Sequence, residues 1–125
     1  MEELLRWVSP LNNMFRTAVR DAEVNDQPLR EGERVALLYP AANRDARAFE
    51  RPQEFDVTRD PTMHMAFGFG THFCLGANLA RVEMKLLLEE LVPRITNLRP
   101  VSEPDVEPNV FARAVRRFYL GFDRR

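Results

Sequence analysis

Residues 66–76 read AFGFGTHFCLG and contain the only cysteine of the chain, Cys74. A lone cysteine has no disulfide partner within the chain, so it is a buried apolar residue, a nucleophile or a metal ligand. Gly68 and Gly70 precede it and Gly76 follows. Glycines adopt backbone conformations that other residues resist, and with no Cβ they let a flat ligand approach closely. Beyond the thiol, Leu75, Leu79, Val82 and Leu86 recur at intervals of four, three and four, and Met84, Leu87, Leu88 and Leu91 widen the stripe until Pro93. That spacing predicts a helix starting beside Cys74. Unpaired N–H groups at a helix start favour thiolate over thiol, and a thiolate held there is a strong metal ligand.

Other chemistries are less well provided for. A Cys-His hydrolase recruits a histidine distant in sequence and a third orienting group, and neither stands out here. A structural zinc site needs more ligands than Cys74, His64 and His72 supply. The glycines match neither G-x-G-x-x-G nor a Walker loop with its lysine, which sets nucleotide binding aside. On spacing alone, a metal-ligating thiolate and a buried core cysteine both stay open.

The elements that must position this loop are legible in outline. At 125 residues, 45% apolar and 30% charged, the chain fits one soluble globular domain. No run reaches the ~20 apolar residues of a membrane span. The opening MEELLRWV lacks the features of a signal peptide, so a cytoplasmic location is expected. A net charge of -1 argues against nucleic acid or an anionic membrane as partner. Leu4, Leu5 and Val8 predict a helix that Pro10 stops, with no Ser, Thr or Asp ahead of it as a cap. Residues 15–38 predict a two- or three-stranded sheet, with one strand over 17–24 and turns at 25–28 and 30–32. A short helix is expected over 41–44, then an irregular meander with Pro52 and Pro61, in which Phe49, Phe55 and Val57 should be buried. Residues 95–122 read as strands and a hairpin interrupted by Pro100, Pro104 and Pro108. The fold class is α+β, without internal repeats or a domain boundary.

Phe67, Gly70, Cys74 and Gly76 fall on F-x-x-G-x-x-x-C-x-G, and Leu79, Ala80 and Arg81 continue it. This stretch resembles the haem-binding signature of the cytochrome P450 family, and Glu3 and Arg6 match that family's upstream E-x-x-R helix. The resemblance implies that residues 1–125 are the C-terminal part of a mainly helical domain, with small sheets, a meander, the cysteine ligand loop and the following helix. The N-terminal part, including the long helix that delivers protons to bound oxygen, is then absent. That accords with the abrupt opening and with the breadth of the apolar face after Cys74.

The resemblance also assigns roles. Cys74 becomes the axial thiolate ligand of haem b, Phe67 shields its sulfur from water, and the amides after Cys74 donate to that sulfur. Gly68, Gly70 and Gly76 line the cofactor, while Arg16 and His72 take positions that hold its propionates. No catalytic residue beyond the haem ligand is implied. An exposed i,i+3 pair contributes only ~0.2–0.5 kcal/mol, whereas the family reading makes Glu3 and Arg6 a structural pair tied to the meander. A third basic residue is expected there in P-x-R-F, but this sequence has Pro52-Gln53-Glu54-Phe55, leaving Arg51 and Arg59 as alternatives.

The implied activity is monooxygenation with O2 and two electrons from a ferredoxin- or flavodoxin-type donor docking near the cysteine face, where Arg81 and Lys85 offer charge. Residues 9–15 and 110–112 correspond to substrate-lining loops, and Leu11, Met14 and Val110 suit an apolar, steroid- or lipid-like substrate. The isolated chain is expected to be inactive. The rival expectation is a truncated or pseudogene-derived chain that serves at most as an interaction piece.

Overall fold

The computed structural model describes residues 1–60 and 64–125, so Pro61 of the predicted meander lies outside the described residues. The first helix, α1, spans Glu2–Val8 with no side-chain cap, but Glu2 and Glu3 place negative charge on its first turn. It ends at Ser9, whose φ of 44° is left-handed and whose N–H donates to the Leu5 carbonyl. The break thus falls one residue before Pro10, as expected for a residue whose helical conformation the following proline disfavours.

Two nested hairpins follow. Strand β1 (Met14–Thr17) pairs antiparallel with β4 (Arg34–Leu37), and between them β2 (Ala22–Val24) pairs with β3 (Gln27–Leu29). Asn25 and Asp26 join β2 to β3 with φ of 53° and 62°, the paired positive values of a primed hairpin turn. The continuous strand expected over residues 17–24 is therefore two strands in two ladders. Ala18 explains the break, because its N–H donates to Glu33 and its carbonyl accepts from Gly32, closing the outer hairpin there.

Helix α2 spans Tyr39–Ala42, two residues earlier than its pattern suggests. Pro40 accounts for the shift, since its fixed φ suits the first helical turn. Of the three apolar residues expected to anchor the meander, Phe49 is buried while Phe55 and Val57 are exposed. Phe55 packs edge-on to Trp7 at 5.9 Å between ring centres, and the order of this segment comes from polar contacts described below.

Helix α3 spans Ala77–Leu91 and starts three residues after Cys74 rather than beside it. Leu75, Leu79, Val82, Leu86 and Leu87 are exposed, and Ala77 is the buried residue of the helix. A short 3-10 turn, Val92–Arg94, carries Pro93 and bends the chain into β5 (Ile95–Pro100), which pairs with β8 (Leu120–Arg124). Strands β6 (Asp105–Glu107) and β7 (Ala114–Arg117) form the fourth two-stranded antiparallel sheet. The buried interior combines Leu5, Phe49, Ala66 and Ala77 with the polar side chains of Glu3, Arg6, Ser9 and Asn43.

Candidate functional site

The cysteine loop is built by backbone hydrogen bonds. Gly68 donates to Met65 at 3.0 Å, Phe73 to Gly70 at 3.0 Å, Cys74 to Phe67 at 2.9 Å and Ala77 to Cys74 at 3.2 Å. These close a tight reversal around the 3-10 turn Gly70–His72. Gly68 and Gly70 have φ of 74° and 70°, conformations that favour glycine. A Cβ on Gly70 would meet open space, so strain rather than crowding selects the glycine and that face stays free for a flat ligand. Gly76 sits close under the thiol, since a Cβ there would lie 3.9 Å from Cys74 Sγ. Cys74 is a free, exposed thiol. The buried core cysteine therefore gives way to a thiol presented outward by its loop.

Cys74 opens onto an apolar cavity of about 320 Å³ lined also by Leu11, Met14, Phe67 and Gly68. Tyr39 and His72 line both this cavity and a second of about 670 Å³, which Arg16 borders. The fold thus gathers Leu11, Met14, Phe67, Gly68, His72, Cys74 and Arg16 along one trough, with Arg16 and His72 exposed. Val110 is not part of its lining; it is 86% exposed. Its carbonyl accepts from Asn13 Nδ2 at 2.8 Å. The two expected substrate loops do meet, through a Leu11–Ala112 bridge and a 2.8 Å bond from the Asn12 N–H to Phe111. A planar iron macrocycle with anionic side arms suits these residues: a soft donor stands over an apolar floor, and the Arg16 guanidinium and the His72 imidazole border the adjoining space.

Behind the loop lies the buried ion pair. Arg6 Nε and Nη2 each reach one Glu3 oxygen at 2.7 Å, and the remaining N–H groups serve the carbonyls of Asn43, Pro52 and Glu54 at 2.7, 3.0 and 3.0 Å. Arg59 is the third basic residue, with Nε 3.3 Å from Glu3 Oε2. Arg51 faces solvent and pairs with Glu54 and Asp56. The acid at position 54 does no harm, because Arg6 uses its carbonyl while its carboxylate turns out to Arg51.

Hydrogen bonds from Arg6, outweighing burial and joined by the Asp56 N–H and the nearby charges of Arg6 and Arg59, hold the Glu3 carboxyl down to about 2. An unfolded glutamate titrates near 4.5, so folding gains from this group above that pH and loses the gain as pH falls toward about 2. The expected loss is ~3 kcal/mol. Urea midpoints of the wild type and Glu3→Gln should converge as pH falls through that window, and a constant gap between them would contradict the assignment.

Several residues that no sequence pattern marks tie this pair to the loop. Asn43 is fully buried: its carbonyl accepts from Arg6, its Nδ2 donates to Ser9 Oγ at 2.8 Å and its Oδ1 accepts the Met65 N–H at 2.6 Å. An asparagine after a short helix reads locally as a cap, and only the fold reveals these distant partners. Arg81, expected to lend charge to a docking surface, keeps 31% of its side chain exposed while pairing with Glu2 at 3.1 Å and lying 4.7 Å over the Phe67 ring. Lys85 does face solvent, 3.8 Å from Glu89.

The sequence profile of the cytochrome P450 family matches residues 1–120, and the chain belongs to that family, whose members carry thiolate-ligated haem b. The chain is 44% identical over 104 residues to cytochrome P450-terp of a Pseudomonas species, covering 83% of this chain and 24% of that protein. It is 46% identical over 108 residues to a steroid C26-monooxygenase of Mycobacterium tuberculosis, covering 86% and 29% respectively. A cytochrome P450 structure from Chondromyces apiculatus superposes with a TM-score of 0.91 at 38% identity, covering 99% of this chain and 32% of that one. A Bacillus megaterium cytochrome P450 in complex with testosterone gives 0.87 at 39% identity, covering 95% and 33%. The chain therefore spans about a quarter to a third of the length of these relatives. Among the described residues no helix is long and apolar enough to cross a membrane.

Proposed function

We propose that residues 1–125 form the C-terminal, haem-binding part of a cytochrome P450 domain and that Cys74 would supply the thiolate that holds the haem. The carrying observation is the exposed thiol on an apolar trough that Arg16 and His72 border. In this reading Gly68, Gly70 and Gly76 allow close approach of the macrocycle, Arg16 and His72 hold its propionates, and Phe67 keeps water from the sulfur. The bound group supplies oxygen activation, strengthened by electron donation from the thiolate. The parent activity is monooxygenation of an apolar substrate in the cytoplasm, with electrons from a ferredoxin- or flavodoxin-type donor. The isolated chain gives no turnover, because both the trough and the α3 stripe stand open to water. That exposed stripe also supports a second reading, in which the chain serves only as an interaction piece.

A steroid- or lipid-like substrate is supported by Leu11 and Met14 in the trough and by the steroid named in relatives of this chain. Val110, outside the trough's lining, enters this reading only through its loop, which the Leu11–Ala112 bridge ties to Leu11. Testosterone and a long-chain fatty acid should each shift the haem absorption band of the loaded protein, and Met14→Asp should weaken that binding by roughly tenfold. Equal affinities in wild type and variant would remove this loop from the substrate site.

A further inference from the structure

Phe67 is steadied by residues beyond the cysteine loop itself. We propose that His64, linked to Glu2 and Arg81, is a positioning residue that sets Phe67 and the cysteine loop, and so the presentation of Cys74. This rests on the haem-site reading above. The His64 side chain is 4% exposed. Its Nδ1 accepts the Ala66 N–H at 3.2 Å, which places the ring proton on Nε2, and Nε2 donates to Glu2 Oε2 at 3.0 Å. Glu2 also receives Arg81 Nε at 3.1 Å and Nη2 at 3.1 Å. Arg81 then covers the Phe67 ring, while His64 approaches the same ring at 6.1 Å between centres. The Phe67 carbonyl accepts the Cys74 N–H at 2.9 Å.

Three segments, the start of α1, the residues entering the loop and the first turns of α3, thus converge on one aromatic ring and one peptide group. Each partner fixes the next. The Ala66 N–H selects the His64 tautomer, the tautomer aims a donor at Glu2, and Glu2 holds Arg81 over Phe67. Burial would raise the Glu2 carboxyl, but hydrogen bonds from Arg81 and His64 hold it below its usual range, which keeps it an acceptor for both. A ring flip at His64 would forfeit the Ala66 and Glu2 bonds together. Outer partners of this kind orient metal ligands without touching the metal.

The test compares the full chain with His64→Phe, His64→Asn and Glu2→Gln, measuring amide hydrogen exchange by NMR and haem affinity by titration. Phenylalanine fills the histidine volume without an acceptor. It should speed exchange at Ala66 and Cys74 roughly fivefold, leave the β5–β8 amides unchanged, and weaken haem binding roughly tenfold. Asparagine restores an acceptor near the Nδ1 position and should return most of the Ala66 protection. Glu2→Gln, close in shape to the wild type, should speed Cys74 exchange by about twofold even if His64→Phe does not fold. Unchanged exchange at Cys74 in the folded variants, or equal acceleration in β5 and β8, would overturn the inference. A wild type that binds haem without thiolate character would remove the cofactor reading instead, while the exchange pattern would still decide the positioning role.

Discussion

Arg6→Leu is expected to destabilise the fold by about 3–5 kcal/mol, the cost of leaving a buried partner charge uncompensated. Arg6 is 1% exposed. Its removal leaves the Glu3 carboxylate, whose side chain is 4% exposed, with only Arg59 as a charge partner and the Asp56 N–H as a donor, and takes the Arg6 donor from the carbonyls of Asn43, Pro52 and Glu54. Arg6→Lys should recover little, because one ammonium cannot reproduce a planar fork that serves two carboxylate oxygens and three carbonyls. The double variant Arg6→Leu, Glu3→Leu should lose less than the sum of the single changes, since removing both partners leaves no lone buried charge. Urea unfolding checks each value. A loss below about 1 kcal/mol would mean that the pair behaves like a solvent-exposed salt bridge.

Cys74→Ser carries the second large effect. Serine matches the size of cysteine closely enough to leave the loop bonds intact, because those bonds run through the backbone of Phe67, Gly70 and Cys74 rather than through the thiol. Fold stability should therefore change by less than about 1 kcal/mol, as for other substitutions at exposed positions. A neutral hydroxyl is a far poorer donor to haem iron than a thiolate, so the variant should lose the thiolate signature and bind haem at least tenfold more weakly. The separation of the two results is informative: a purely structural cysteine would show the reverse pattern.

The cysteine loop was legible because its chemistry is local. The conformational freedom of Gly68 and Gly70 and the position of Cys74 are properties of adjacent residues, and the turn they encode is the turn observed. The apolar period of α3 likewise identified the helix, although the chain enters it at Ala77, after the loop has closed on Phe67. What the sequence could not supply was distance. Arg59 and Arg51 are equal candidates on charge, and only the path of the meander brings Arg59 to Glu3 while Arg51 turns to solvent. Asn43, His64 and Glu2 carry no periodic signal, yet they join α1, α2 and the loop through side-chain bonds that span from 22 to 62 positions along the chain. Phe55 and Val57 erred in the opposite sense, since hydrophobicity predicts burial only where a surface exists to cover the side chain.

The most direct test of Cys74 as a haem ligand is the absorption spectrum of the haem-loaded chain after reduction and CO addition, with Cys74→Ser alongside. A red-shifted, thiolate-type band in the wild type, absent from the variant, is the predicted result. A CO complex without that band in the wild type, or the same band in both proteins, would contradict the account.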